Sequence, residues 1–168
     1  LATLPVTEID LVVAKFLAAW TFVAGIVFAS LPLAISVWFI GDLDWGTTLA
    51  IYLGSLLMAG AYVSMGMVIS ALTREQIVAF ILIFFVSLFM FLGNYFILNR
   101  HLPRAIEIPA GDGHIYLPSL AGIIAFFTHS HHYASFSRGV VDLGDTVYYL
   151  SFMALMIFIN VWLLRRER

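Results

Sequence analysis

Four stretches without a single charged side chain decide most of what this chain can fold into: Phe16–Ile40 (25 residues), Thr47–Leu72 (26), Ile77–Leu98 (22) and Thr146–Leu164 (19). At about 1.5 Å of rise per residue, each is long enough as a helix to cross an apolar layer of about 30 Å. Backbone at that depth must satisfy its own hydrogen bonds, so unbroken apolar runs of this length make helices rather than the strands of a barrel. A share of 62% hydrophobic and 11% charged residues is also too poor in charge to coat a soluble globule of 168 residues. The expected class is all-α, a polytopic membrane protein with four transmembrane helices at about 16–40, 47–72, 77–98 and 146–164.

The long segment 99–145 is harder to place. Ile115–Ser137 carries no charge if its histidines are neutral, but only its first half is mostly apolar. Pro118, Ser119 and Gly122 interrupt that half, and His129, His131 and His132 crowd the other. Such a stretch more often dips into a membrane or lies on it than spans it. One re-entrant or interfacial helix, at about 118–137 on the external side, is therefore expected. With four spans, Lys15, Arg74, Arg165, Arg166 and Arg168 share one side, against Arg100, Arg104 and Arg138 on the other. Lys and Arg favour the cytoplasmic face, which puts both ends of the chain and the Thr73–Gln76 loop there.

The third run is rich in small residues, with Gly60-x-x-x-Ser64 and Gly66-x-x-x-Ser70 spacings, and is expected to pack closely against neighbours within one bundle. The fourth carries Phe80, Phe84, Phe85, Phe89, Phe91, Tyr95 and Phe96, read as lipid-facing or bundle-filling rings.

Several chemistries are excluded by what the chain lacks. It has no Cys, hence no disulfide, thiolate nucleophile or Cys metal site. Its one lysine, Lys15, follows no Gly-rich run, so the phosphate-cradling loop of an ATPase is missing. A net charge of −2 with no basic stripe argues against nucleic acid as a partner. None of the four runs holds Asp, Glu, Lys, Arg or His, whereas ion-driven transporters usually need such groups inside the membrane. No catalytic residues stand out. His129, His131 and His132 are the weak candidates for a metal site, since neutral imidazoles at i, i+3 share a helix face. Interfacial packing is the reading preferred for them, and capping of the last span the reading preferred for Asp145.

At the N-terminus, Thr7 is a good N-cap with Asp10 at the N3 position of a capping box, so a helix is expected to start near Glu8. Leu1, Pro5, Val6, Thr7, Asp10, Leu11, Val12, Ala14, Lys15, Phe16 and Ala18 together resemble the coupling-helix exit of permease subunits of ATP-binding-cassette (ABC) transporters of the type-2 exporter family. Gly41–Gly46 is similar to that family's short external turn, and Ser70–Ile77 to its cytoplasmic loop. His132–Ser151 resembles the region before its last span, and Arg165–Arg168 its basic tail.

These motifs lie in the family's order along the whole chain, closest to the gliding-motility and copper-enzyme-maturation type permeases. The resemblance implies a permease in a bacterial inner (plasma) membrane, paired with a second permease copy within the lipid bilayer and driven by a cytoplasmic ABC ATPase. ATP and Mg would belong to that partner, with no cofactor in this chain. Leu4, Pro5, Val6, Thr7 and Glu8, with Thr73, Arg74, Glu75 and Gln76 nearby, would form the ATPase-coupling contact. Two further spans would precede Leu1, making this chain the C-terminal two-thirds of a permease. The competing readings are a membrane anchor or assembly subunit that moves no solute, and a membrane enzyme using the external histidines with a metal.

Overall fold

The computed structural model describes residues 7–99, 105–110, 113–118 and 126–166. The chain forms α1 (Glu8–Ala29), α2 (Leu31–Ile40), α3 (Trp45–Leu72), α4 (Gln76–Asn99), a hairpin of β1 (Ala105–Ala110) and β2 (Gly113–Pro118), then α5 (His129–Ser137) and α6 (Leu143–Arg166). The fold is that of an all-α, polytopic membrane protein. Four helical segments are long and apolar enough to cross a membrane, with α1 and α2 counting as one unit of 33 residues from Glu8 to Ile40.

The first unit is jointed because Pro32, at the start of α2, has no N–H to continue the ladder. Ser30 takes up the slack: its Oγ donates to the Val27 carbonyl at 2.7 Å, leaving Tyr52 of α3 to donate to it at 2.8 Å. At the other end, Thr7 and Asp10 form the expected capping box. Asp10 N–H reaches Thr7 Oγ1 at 3.3 Å, and Thr7 N–H reaches Asp10 Oδ2 at 3.1 Å.

α3 is the central helix, touching α1, α4, α5 and α6. Ala50, Gly54, Leu57, Ala61, Ser64, Met65 and Val68 form its buried stripe at helical spacing. The small residues expected to allow close approach do so inside the bundle. A Cβ at Gly60 would strike Met153 Sδ of α6 and Trp20 of α1. Beside it the Trp20 indole donates its Nε1–H to the Leu56 carbonyl at 3.0 Å. Phe16, Leu57, Ala61, Met65, Phe136, Tyr149, Phe152 and Met153 make the core, so α1, α3, α5 and α6 share it. α4 gives its ring face outward, with Phe80, Phe84, Phe85, Phe89 and Phe91 all more than half exposed. That is the arrangement lipid requires; Tyr95 and Phe96 lie outside the described side chains.

Glu8 and Arg165 meet at one end of the bundle, with Arg165 Nε 3.2 Å from Glu8 Oε2. The start of the first unit and the end of the last therefore lie together, as an even number of crossings demands.

The segment after α4 differs from its expected form. No strand was expected, yet Ala105–Ala110 pairs antiparallel with Gly113–Pro118, setting Ile106 opposite Leu117 and Ile108 opposite Ile115. The signal in the sequence is a period-2 apolar alternation on both sides of Gly111-Asp112-Gly113, too short to stand out beside the longer apolar runs. Residue 118 thus ends a strand and does not begin a helix. Within the range 118–137 expected as one helix, residues 126–127 are helical, Thr128 interrupts as the N-cap, and α5 runs from His129 to Ser137.

Candidate functional site

α5 enters the bundle instead of lying on it. Its first residue, His129, is fully buried and packs edge-on to Tyr62 and Phe152, with ring centroids at 5.0 and 4.7 Å. Tyr62 lies 17 residues into α3, about 25 Å from its start at the rise of a helix. The far end of α5 rises to the head of the same helix: Phe136 covers Gly54, and Gly139 abuts Thr47. A half-helix therefore runs from the middle of the bundle out to the Trp45 end of α3. The histidines expected at a wet interface are split by this geometry, because His129 sits at the level of the spans.

Hydrogen bonds from α6 hold the inner end of α5. Tyr148 donates to the Phe127 carbonyl at 2.9 Å, so at 3.1 Å it accepts from His129 Nδ1–H. That fixes the tautomer and leaves His129 Nε2 as a bare lone pair. Tyr149, also fully buried, donates to the His129 carbonyl at 2.8 Å.

His132 stacks on Tyr148 with centroids 3.7 Å apart. Its Nε2 faces the Phe126 carbonyl at 2.9 Å and its Nδ1 the Asp145 carboxyl at 2.8 Å. A carbonyl only accepts, so Nε2 carries a proton and the other proton of the pair lies between Nδ1 and Oδ1. Asp145 is therefore not the cap of the last span. Asp142 takes that place, accepting from Gly144 N–H at 2.8 Å, and α6 starts at Leu143. Asp145 lies in the first helical turn, where its side chain is drawn to His132.

Three buried polar atoms near this inner end have no partner among the described residues: Tyr62 Oη, His129 Nε2 and Ser130 Oγ. A cavity of about 480 Å³ between α1, α3, α4 and α5 is lined by Tyr62, Ser55, Tyr133 and Phe91. The three histidines do not converge as ligands. Both nitrogens of His132 are engaged, and among the described residues no group of three His, Cys, Asp or Glu is placed to hold a metal.

The residues expected at the ATPase contact fall into two groups. Leu4, Pro5 and Val6 lie outside the described residues. Thr7 caps α1, and Glu8 pairs with Arg165. Thr73 ends α3 in extended conformation with its Oγ1 donating to the Ile69 carbonyl at 3.1 Å; Arg74, Glu75 and Gln76 are exposed. The Thr73–Arg74 turn shares a cavity with Lys15 and Asn160, so it lies at the same end of the bundle as the start of α1. Asn160 escaped the sequence reading, which weighed only ionisable residues. A lone amide in the apolar run Leu155–Leu164 was the available signal.

Comparison of the chain with protein families, curated proteins and solved structures found no match.

Proposed function

We propose that this chain is the membrane-spanning permease subunit of an ABC transporter complex, working beside a second permease copy and driven by an ATPase docked at the Glu8/Arg165 end. The observation that best supports a transport role is the half-helix α5. Its inner end sits mid-bundle beside Tyr62 Oη, His129 Nε2 and Ser130 Oγ, three buried atoms without a partner among the described residues. Transporters use such broken elements to bring hydrogen-bonding groups to membrane depth, where a regular helix has none to offer. The order of sequence motifs supports the ABC class. In this reading the docking end is cytoplasmic, and Thr7, Glu8 and the Thr73–Gln76 turn belong to the surface that receives the ATPase.

The test is co-purification with a candidate ATPase subunit, followed by reconstitution in vesicles. ATP hydrolysis that rises with the chain present, and that is uncoupled from solute movement by replacing Val6 and Glu8, is the expected result. An ATPase that neither binds the chain nor changes its rate would refute the reading.

A further inference from the structure

At the Glu8/Arg165 end, a cavity of about 610 Å³ opens between α1, α3 and α6, with Lys15, Ser70, Thr73, Arg74, Asn160 and Leu164 in its lining. That is room for about twenty waters at roughly 30 Å³ each, well beyond a bare ion. Its chemistry is one-sided. Lys15 and Arg74 both line it, and among the described residues no carboxylate does and neither cation has an ion pair or hydrogen bond. The nearby acids are placed elsewhere: Glu8 is bound by Arg165, and Glu75 is not part of the lining.

Asn160 is the second, independent observation. It is 7% exposed, has no partner among the described residues, and borders this cavity. Its side chain is mostly enclosed yet its polar atoms are not sealed off, so the amide is open to a ligand oxygen in the cavity. Two cations, an amide and the Ser70 hydroxyl thus offer donors to one acceptor-rich anion, which is the pattern a phosphate group fits. Met67, Leu72 and Leu164 supply apolar wall at the end of membrane-crossing helices, where a phosphate carrying acyl chains comes to rest.

We propose that this cavity binds the phosphate headgroup of an anionic phospholipid, with Lys15 and Arg74 supplying the charge and Asn160 the buried hydrogen bond. The site stands independently of the permease reading, since it needs neither an ATPase nor a transported solute.

The experiment is calorimetric titration of the 168-residue chain in an uncharged maltoside detergent. The probes are dihexanoyl phosphatidylglycerol, dihexanoyl phosphatidylcholine and inorganic phosphate. Phosphatidylglycerol is expected to bind once per chain, at least tenfold more tightly than phosphatidylcholine, and to weaken with added salt. Lys15→Gln and Asn160→Leu should each loosen it about tenfold. Lys15 is exposed, and leucine at 160 makes the helix more apolar, so circular dichroism melting should show both variants folded. Inorganic phosphate binding as tightly as the lipid, with the same losses in both variants, would support the anion site and assign free phosphate as its source. Equal affinity for the two lipids, or unchanged phosphatidylglycerol binding in two folded variants, would overturn the proposal.

Discussion

Phe136 rests, with no exposed surface, on the bare backbone of Gly54: a Cβ built there would lie 2.6 Å from both Cβ and Cγ of the phenylalanine. This one contact seats the middle of α5 against α3. Gly54→Ala is expected to cost about 1–3 kcal/mol, the usual range for overpacking a filled core. Hydrogen exchange should localise the loss to α5, and Gly54→Ala combined with Phe136→Leu should regain part of it in detergent melts. A Gly54→Ala protein as stable as the parent would mean that α5 does not dock there.

The His132–Asp145 pair anchors the same half-helix from α6, with the two side chains 8% and 15% exposed. Removing one partner leaves the other polar group nearly buried without its mate, so His132→Ala and Asp145→Ala are each expected to destabilise by about 2 kcal/mol. The double variant should lose less than the sum. A coupling of about 1 kcal/mol or more in a double-mutant cycle checks the contact, and simple additivity would deny it.

The spans were legible because a membrane imposes one rule on every residue between the charge clusters. The start of α1 follows from Thr7 and Asp10; the rings of α4, read as lipid-facing or bundle-filling, turn outward. The region between α4 and α6 resisted because its signals are short and mixed. Ile106, Ile108, Ile115 and Leu117 alternate over too few residues to compete with an apolar-run reading. His129 and His132 look alike in sequence, yet only the fold separates them, one meeting Tyr62 and the other Asp145. Asp145 was read as a cap because Asp142, three residues earlier, holds the same credentials. No local rule chooses between two acids when the deciding partner, His132, is thirteen residues away.

At the head of α3, Asp44 accepts from Gly46 N–H at 2.9 Å and from Thr47 Oγ1 at 2.6 Å. The Thr47 hydroxyl, followed by the backbone amides of Gly46 and Thr47, holds the Asp44 carboxyl below its ordinary value of 3.8. A lowered carboxylate stabilises the fold at pH above the unfolded value and loses that contribution as pH falls through the folded one. The cap should therefore be intact at pH 7 and fade below about pH 4, the unperturbed aspartate range. Asp44→Ala should lower the melting temperature at pH 7, with the gap to the parent closing in acid. A gap independent of pH would show that the charge of Asp44 plays no part.

Gly139 carries two separate constraints, and they can be taken apart. Its φ of +80° lies in the left-handed region, where a residue with a Cβ pays about 1–2 kcal/mol. An added Cβ would also lie 2.5 Å from Thr47 Oγ1 and 3.1 Å from Thr47 Cα. Asparagine tolerates the left-handed backbone better than alanine, so it relieves the first constraint but not the second. If backbone strain alone mattered, Gly139→Asn would be close to the parent in melting temperature and Gly139→Ala well below it. With the approach to Thr47 as close as it is, both variants should fall, and Gly139→Asn should recover partly when Thr47→Ala removes the hydroxyl. That same change also strips Asp44 of its 2.6 Å donor, so the rescue must be scored against Thr47→Ala alone. A Gly139→Asn protein that melts with the parent would place the left-handed turn, and not the contact with α3, in control of how α5 leaves the bundle.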